Sequence, residues 1–360
     1  MASRKSILDI SWNVPEETYR NDPSYHYSLL SDFRNRGLHA VEELLTPTEE
    51  KKPSKSLIFG SLLDAMLTDP DKLSKFEVIG KEEDVLTLTA TELKVATYIL
   101  ENKDIFPLDM LRGDTDVFYE CFTNCDAYTT LKAKTVIDKH GERILKYIES
   151  MLKSTPDKLQ VTEEDWIDAL ECKDAIMASP MRKYFESLPF DGDVERVCQL
   201  KLKVTDPKTG ITYRVMLDNV YVDHDNKIIQ PNDVKTTSSY EDEFYHSFVK
   251  WNYDIQARLY WRALYTLTQH DDYFKHFSVL PFQFLVVSRY SKTPLIWRYD
   301  DCVKRGELVY RRRDGSVIIL EDPFELGRSL LWASEHPHAV REGVSTMGSN
   351  LIEQWIEAGI

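Results

Sequence analysis

Residues 195–235 constrain the fold more than any other part of the chain, because they follow the pattern of three strands separated by two tight turns. Apolar and polar residues alternate over residues 197–204, which is typical of a strand with one buried face. Residues 206–210 (Asp-Pro-Lys-Thr-Gly) then predict a turn, since proline presets φ and glycine accepts a positive φ. Two more strands are predicted on either side of a second turn at residues 223–226. The pattern therefore predicts an antiparallel meander.

Helices are predicted before and after the meander, where apolar residues recur at helical spacing. They are expected at residues 24–45, 57–67, 93–101, 142–152 and 253–267. Residues 282–287 are typical of a buried strand, and Asp314-Gly315 indicates a hairpin between two short strands. We expect Pro231 to mark an edge or a bulge of the third strand, because proline donates no backbone hydrogen bond. Together these elements predict an α/β fold with a central mixed sheet flanked by helices.

The composition excludes several classes of protein. Lys and Arg total 45 against 60 Asp and Glu, and the net charge of −15 argues against a protein that simply coats nucleic acid. A DNA enzyme is still compatible with this charge, because a local basic groove can lie on an acidic body. No apolar run approaches the roughly 20 residues of a membrane-spanning helix, and no hydrophobic signal core follows Met1. We therefore expect a cytoplasmic protein with no membrane partner, and the missing GxxxxGK[ST] loop predicts no nucleotide cofactor.

Asp218, Asp233 and Lys235 form the candidate chemical site. Asp218 lies near the end of the second predicted strand, and Asp233 and Lys235 share one face of the third. Two carboxylates can hold Mg²⁺ through oxygen ligands, and a bound metal polarises a phosphate and generates hydroxide. The lysine can orient the attacking water or offset developing negative charge. The alternatives are an Asp-x-Lys on a solvated strand edge, and the rival carboxylates Asp223 and Asp225, which normally would only cap their turn.

This order of elements and residues resembles the PD-(D/E)xK nuclease superfamily, in particular the RecE-like and lambda-exonuclease-like phage exonucleases, and more loosely the RecB nuclease domain. In that family an Asp closes one strand, an Asp/Glu-x-Lys lies on the next, and a helix carries Gln and Tyr one turn apart. Asp218, Asp233 and Lys235 match the first two motifs. Gln256 and Tyr260 match the third and share a helix face. The resemblance implies that these five residues act in catalysis.

The resemblance also implies further metal ligands besides Asp218 and Asp233. It implies that the backbone carbonyl of Val234 ligates the metal, and that Glu195 is an upstream acid of the same site. Residues 59–67 resemble a family helix with the pattern Gly-x-x-x-His-x-x-Leu, in which Asp64 stands where the family often has a metal-binding His. A carboxylate suits Mg²⁺ at that position, because this cation prefers hard oxygen ligands. A polar residue on an otherwise buried helix is the alternative for Asp64.

Basic residues supply candidate DNA contacts. Three groups are predicted: a loop before the Asp64 helix, the helix that carries Gln256, and a hairpin near the C terminus. Their members are Lys51, Lys52 and Lys55; Arg258 and Arg262; and Arg311, Arg312 and Arg313. The alternatives are a solvated loop for the first group, salt bridges to acidic neighbours for the second, and an ordinary surface hairpin for the third.

The predicted architecture is a restriction-endonuclease-like core within a single nuclease domain, extended by N-terminal and inserted helices. Its parts are N-terminal helices at 1–70, a helical insertion at 71–190, the catalytic core at 191–300, and a hairpin with helices at 301–360. The resemblance implies an exonuclease of phage recombination in the host cytoplasm, which degrades double-stranded DNA ends 5′ to 3′ with Mg²⁺, or with Mn²⁺ as a substitute. It also implies a single-strand annealing recombinase as partner and a homo-oligomeric ring. Two alternatives stay open: an endonuclease or single-strand-preferring nuclease with the same chemistry, and a non-catalytic DNA-binding or assembly module.

Overall fold

The chain divides into two compact units in the computed structural model. The first comprises Met1–Lys52 and Cys172–Ile360, and the second comprises Pro53–Glu171. The residues that the structure describes are 4–37, 40, 53–79, 88–129, 131–153, 158–311 and 315–336. The insertion expected at 71–190 therefore corresponds to a unit that begins earlier, at Pro53, and that includes the helix carrying Asp64. The organisation as a single domain stays a prediction.

Helices and strands are distributed along the whole described chain. The helices are α1 (Glu16–Asn21), α2 (Tyr27–Arg36), α3 (Lys55–Thr68), α4 (Ala90–Glu101), α5 (Leu108–Gly113), α6 (Thr115–Asn124), α7 (Ala133–Val136), α8 (Glu142–Lys153), α9 (Glu163–Met177), α10 (Phe244–Lys250), α11 (Tyr253–His270) and α12 (Pro323–Glu335). The strands are β1 (Phe76–Ile79), β2 (Leu159–Thr162), β3 (Val194–Thr205), β4 (Thr212–Asp223), β5 (Ile228–Thr237), β6 (Ser278–Val279), β7 (Phe282–Ser288), β8 (Pro294–Tyr299), β9 (Leu308–Arg311) and β10 (Val317–Leu320). Among these helices, none combines the length and the hydrophobicity that a membrane-spanning segment requires.

The first unit is built on a mixed sheet with the strand order β3-β4-β5-β7-β8. Strands β3, β4 and β5 form the antiparallel meander that the sequence predicts. Helix α11 then returns the chain, so that β7 runs parallel to β5, and β8 pairs antiparallel with β7. The α/β class and the mixed sheet flanked by helices are therefore confirmed. The hairpin β9–β10 is also present, as expected.

Pro231 lies in a central strand rather than at the edge or bulge that the sequence predicts. It pairs with Val220 of β4 on one side. On the other side β6 pairs with Ile228 and Ile229, and β7 begins to pair only at Asn232. Pro231 therefore falls at the interruption between β6 and β7. On that side no neighbouring strand needs a hydrogen bond from residue 231. The strand therefore tolerates a proline there, although proline has no N–H to donate.

Helix α11 lies at the centre of the core of the first unit. It contacts strands β3, β4 and β7 as well as helices α2 and α12. Every residue from Asp254 to Tyr260 is buried, including the polar residues Gln256 and Arg258. Burying a polar or charged group is costly unless a specific partner compensates it. The polar residues of α11 therefore have defined partners, and these partners decide which of them can act in chemistry.

The start of α11 is fixed by an asparagine in the left-handed conformation. Asn252 has a φ of 53°, which asparagine tolerates better than most residues. Its side-chain amide donates hydrogen bonds to Asn35 Oδ1 at 2.9 Å and to Ser31 Oγ at 3.0 Å. Near the helix start, Asp254 accepts two hydrogen bonds from Arg34 at 2.8 and 2.9 Å. These contacts with α2 set the rotation of α11 and hence the direction in which its side chains emerge.

The second unit is a helical cluster with a small parallel sheet of β1 and β2. Its apolar core includes Val95, Ile99, Phe118 and Phe122. Thr162 caps the N terminus of helix α9, because the Asp165 N–H donates to the Thr162 hydroxyl at 3.0 Å.

His26 caps the N terminus of α2 as a neutral imidazole, which predicts a pH effect on stability. Its Nδ1 accepts the Leu29 N–H at 3.4 Å. Burial, together with the charges of Arg214 and Arg20, lowers the pKa of His26 from 6.5 to about 4. Between these two values the unfolded chain binds a proton that the folded chain does not bind. The free energy of unfolding should therefore fall as the pH drops through this window.

The His26→Asn variant tests this effect, because asparagine keeps a capping acceptor and removes the titration. We expect the wild-type chain to lose more stability than the variant between about pH 7 and pH 4.5. Chemical denaturation at a series of pH values measures both slopes. Equal slopes would show that His26 does not titrate differently in the two states.

Candidate functional site

Asp218 on β4 and Asp233 on β5 lie on neighbouring strands of the sheet. The β4–β5 pairing ends at Asn219 and Asn232, and the two aspartates are the next residue on each strand. The Asp218 carboxylate also accepts a hydrogen bond from the Val234 backbone N–H at 3.0 Å. The two carboxylates that the sequence predicts to act together are thus on neighbouring strands.

Asp233 is the most enclosed group of this site, with 1% of the residue exposed. Its Oδ1 accepts a hydrogen bond from Gln256 Nε2 at 2.6 Å, and its Oδ2 lies 2.5 Å from Lys235 Nζ. That ion pair lacks hydrogen-bond geometry. In the described part of the chain, the buried Asp233 Oδ2 and Gln256 Oε1 therefore have no hydrogen-bond partner. The Lys235 ammonium already lies beside Asp233 Oδ2, whereas a buried amide oxygen without a partner is costly, so a water or a substrate group is expected beside Gln256 Oε1.

The Lys235 ammonium lies between a carboxylate and an aromatic ring. Its Nζ is 4.7 Å from the centroid of the Tyr253 ring, and its side chain is 17% exposed. Burial by itself lowers the pKa of Lys235, but the negative charges of Asp233 and Asp218 outweigh it and raise the pKa above its usual value. Lys235 therefore carries a positive charge at the site, so it is suited to charge stabilisation rather than to proton abstraction.

Gln256 and Tyr260 emerge from one face of α11, as their spacing predicts. The Tyr260 ring packs edge-on against Phe282, with the ring centroids 6.2 Å apart. Burial raises the pKa of Tyr260 well above its usual value, and the charges of Asp233 and Asp218 raise it further. Tyr260 is therefore a neutral phenol, close enough to the aspartates to interact with their charge.

Tyr253 is a residue of this site that the sequence reasoning missed. It is the first residue of α11 and precedes Gln256 by three positions, so both side chains lie on the same helix face. The spacing was visible in the sequence. An aromatic residue at a helix start nevertheless predicts core packing as readily as contact with a lysine from another element.

Glu195 is not part of the cluster that the resemblance implies. It pairs with Val222 of β4, whereas Asp218 lies four residues away, about 13 Å along an extended strand. The Glu195 carboxylate accepts the Ile7 N–H at 3.1 Å and lies 3.3 Å from His224 Nε2. It stabilises the N-terminal segment, and we therefore remove Glu195 from the metal-ligand set.

The two rival aspartates support loops. Asp223 accepts the Asn226 N–H at 2.9 Å within the turn between β4 and β5. Asp225 accepts the Asp193 N–H, also at 2.9 Å. Both contacts are those expected of turn residues, so neither aspartate replaces Asp218 or Asp233.

Arg258 and Arg262 form the salt bridges that were the alternative to DNA contact. Arg258 is completely buried and donates to the Glu321 carbonyl at 2.8 Å, and its guanidinium lies 3.2 Å from Asp322. Arg262 donates two hydrogen bonds to Asp322, at 2.9 and 2.8 Å. A guanidinium with no exposed surface cannot reach a phosphate, so the prediction of a DNA contact by Arg258 is wrong. The Arg262 guanidinium is already engaged by the same aspartate.

The other predicted contacts are distributed between the two units. Asp64 and Lys55 lie on α3 of the second unit, where Thr68 Oγ1 donates to Asp64 Oδ1 at 3.2 Å and Lys55 is exposed. Arg311 ends β9 and is exposed. The roles of these three residues stay predictions. Four predicted contacts lie outside the described residues: Lys51, Lys52, Arg312 and Arg313.

The donor atoms at the site suit Mg²⁺. Within the described ranges, no group of three or more His, Cys, Asp or Glu side chains is placed to hold a metal ion. The candidate set is therefore the two carboxylates of Asp218 and Asp233, with the backbone carbonyl of Val234. Mg²⁺ typically keeps several waters and binds proteins through one or two carboxylates. The residues present fit this cation, because all of their donor atoms are oxygens, two of them from carboxylates on neighbouring strands.

A scan against protein-family models finds no match to this chain, and a search of curated proteins finds no relative. The case for a function therefore comes from the residues of the site and from their geometry.

Proposed function

We propose that the chain is a Mg²⁺-dependent deoxyribonuclease of the PD-(D/E)xK type that acts on the ends of double-stranded DNA. One observation carries the proposal. Asp218 and Asp233 lie on neighbouring strands, Asp218 accepts the N–H of Val234 next to Asp233, and Asp233 contacts both Lys235 and Gln256. These residue types suit metal-dependent phosphodiester hydrolysis, because they supply two oxygen ligands, a cation and an orienting amide.

The order of the elements supports the same proposal. A three-stranded meander carries Asp218 on its second strand and the Asp-x-Lys on its third, a helix with Gln256 follows, and β7 joins β5 in parallel. We therefore propose that residues 191–300 form a restriction-endonuclease-like core. The hairpin and helix after residue 300 would be additions to it.

In the proposed reaction, the residues of the site have separate roles. Mg²⁺ held by Asp218, Asp233 and the Val234 carbonyl would polarise the scissile phosphate and activate a water. Lys235 would orient that water and offset the negative charge that develops on the phosphate. Gln256 would fix the Asp233 carboxylate through its hydrogen bond.

One observation favours a second candidate, a non-catalytic DNA-binding or assembly module. Lys235 already neutralises Asp233 at 2.5 Å, so the charge of this carboxylate is balanced without any metal. A buried ion pair of this kind can be retained for structure alone. In that case the cluster would hold β5 against α11, and DNA would bind without being cut.

Linear double-stranded DNA labelled separately at its 5′ and 3′ ends distinguishes these candidates. The full chain is incubated with this DNA in Mg²⁺, in Mn²⁺ or in EDTA, and covalently closed and single-stranded DNA are tested in parallel. The proposal expects metal-dependent release of mononucleotides from one end of linear DNA, and no reaction in EDTA. Cleavage of closed circles would indicate an endonuclease instead. DNA binding without any cleavage in either metal would overturn the nuclease proposal in favour of the module.

The 5′ to 3′ polarity, the homo-oligomeric ring and the single-strand annealing partner are proposals that rest on the resemblance. The end-labelled substrate determines the polarity directly. Sedimentation of the full chain with and without DNA determines the oligomeric state.

A further inference from the structure

The Tyr253 ring is held rigidly beneath the Lys235 ammonium. Lys235 Nζ lies 4.7 Å from the ring centroid. The ring stacks on Phe284 at 5.5 Å with an interplanar angle of 29°, and on Phe244 at 5.8 Å with an angle of 20°. An aromatic face attracts a cation within roughly 6 Å of its centroid. The ring is therefore both close enough and immobile enough to fix the position of the ammonium.

The main chain explains why the ring lies there. Tyr253 directly follows Asn252, whose left-handed backbone starts α11 and whose side chain is bonded to α2. Three residues later, Gln256 donates to Asp233. One turn of α11 thus holds both members of the ion pair, with the amide on the aspartate and the ring on the lysine.

Lys235 needs such a second partner in the proposed reaction. A lysine side chain has four rotatable carbon–carbon bonds, and its ammonium is a mobile point charge unless it is held. Asp233 Oδ2 contacts the ammonium, and the same carboxylate is a proposed ligand of the metal. If the metal shared that carboxylate, the ion pair alone would no longer fix the lysine. The aromatic face of Tyr253 would still do so.

We propose that Tyr253 is a positioning residue, whose ring holds the Lys235 ammonium beside Asp233 and at the reacting phosphate. This inference rests on the proposed nuclease function. It makes two separate statements, one about the ring and the ammonium in the free protein, and one about the rate of cleavage.

The first statement is tested on the wild-type chain without DNA or metal. In protein labelled with ¹³C-lysine, the ε-methylene protons of Lys235 should resonate upfield of those of the other lysines, because they lie over an aromatic face. The Lys235→Arg variant identifies the signal by its loss. The shift should persist in Tyr253→Phe, which keeps the ring, and disappear in Tyr253→Leu. A Lys235 signal among the ordinary lysines of the wild-type chain would overturn the inference.

The second statement is tested by the kinetics of the same variants. Tyr253→Leu should lower kcat for cleavage by about 10- to 100-fold while KM for DNA stays within about threefold, since misplacing a catalytic group affects the reaction more than binding. Tyr253→Phe should restore most of the rate. Tyr265→Leu is the matched control, because Tyr265 stacks on Trp261 elsewhere on α11, and its kcat should be unchanged. Full activity of a folded Tyr253→Leu chain, or equal losses in the Phe and Leu variants, would overturn the inference.

The two proposals fail in different ways. If the wild-type chain does not cleave DNA, the nuclease proposal fails, and the NMR shift still decides whether the ring holds the ammonium. If the wild-type chain cleaves DNA and Lys235→Met does not, but Tyr253→Leu is fully active, the nuclease proposal stands and the positioning role fails.

Discussion

Replacing Asp233 with asparagine should lower the rate of DNA cleavage by at least about 10³-fold, because it removes one of two charged ligands from the proposed metal site. Asparagine has the same size and can still accept the hydrogen bond that Gln256 donates to Oδ1 at 2.6 Å. The variant therefore removes the negative charge of residue 233 and keeps the shape of its side chain. Initial rates on end-labelled DNA in Mg²⁺ measure the loss, and calorimetric titration of the DNA-free chain with Mg²⁺ measures whether metal binding is lost with it.

Two companion variants separate the metal site from stability and from the neighbouring acid. Asp233→Asn leaves the Lys235 charge without its 2.5 Å partner, which should cost up to about 3 kcal/mol of unfolding free energy. The double variant Asp233→Asn with Lys235→Met removes that cost and should be more stable but equally inactive. Glu195→Gln makes the same carboxylate-to-amide change outside the cluster, and its rate should stay within about threefold of the wild type. An active Asp233→Asn chain, or an inactive but folded Glu195→Gln chain, would reverse the assignment of ligands.

The local patterns of the sequence predict the sheet of the first unit well. The meander was predictable because apolar and polar residues alternate from Gln199 to Val204 and because Pro207 and Gly210 mark the turn that follows, and both features act over a few residues. Pro231 was misplaced for the opposite reason. Its position became acceptable only because β6 ends and β7 begins beside it, and the pairing of strands that are distant in sequence leaves no local signal. Strand β8 was missed in the same way, since only its pairing with β7 identifies it.

Within the candidate site, the residues that share an element were predicted and the partners from other elements were not. The spacing of Asp233 and Lys235 on β5 fixed their common face, and that of Gln256 and Tyr260 on α11 did the same. The contact of Tyr253 with Lys235 depends on how α11 is rotated against β5. That rotation is set by Asn252 and its bonds to α2, which are more than 200 residues away in sequence. The residues near Tyr253 in the sequence therefore do not predict this rotation.

Arg258 shows how far a basic residue can mislead when its burial is unknown. On the sequence it sits two residues from Gln256 and resembles a phosphate contact as much as a structural residue. In the structure it is completely buried and donates to the backbone carbonyls of Glu321 and Gly306. It also faces Asp322, which caps α12 and accepts the Gly306 N–H at 2.8 Å. Arg258 therefore connects α11 to the residues that flank the β9–β10 hairpin.

Replacing Arg258 with methionine should lower the free energy of unfolding by about 3–5 kcal/mol. Methionine fills much of the volume, but the Gly306 carbonyl loses a buried donor, and the Glu321 carbonyl and Asp322 each lose one of two arginine partners. Urea denaturation followed by circular dichroism measures the change.

Arg182→Met is the control for this loss of a charged pair, because Arg182 and Glu186 form an exposed pair on the surface of the same unit. Such pairs contribute about 1 kcal/mol or less, so the control should remain close to the wild type. The folded Arg258→Met chain should also bind DNA with unchanged affinity and unchanged salt dependence, since a buried guanidinium releases no counterions from phosphates. A variant with wild-type stability and a shallower salt dependence would mean that Arg258 contacts DNA after all, and that α11 opens to let it do so.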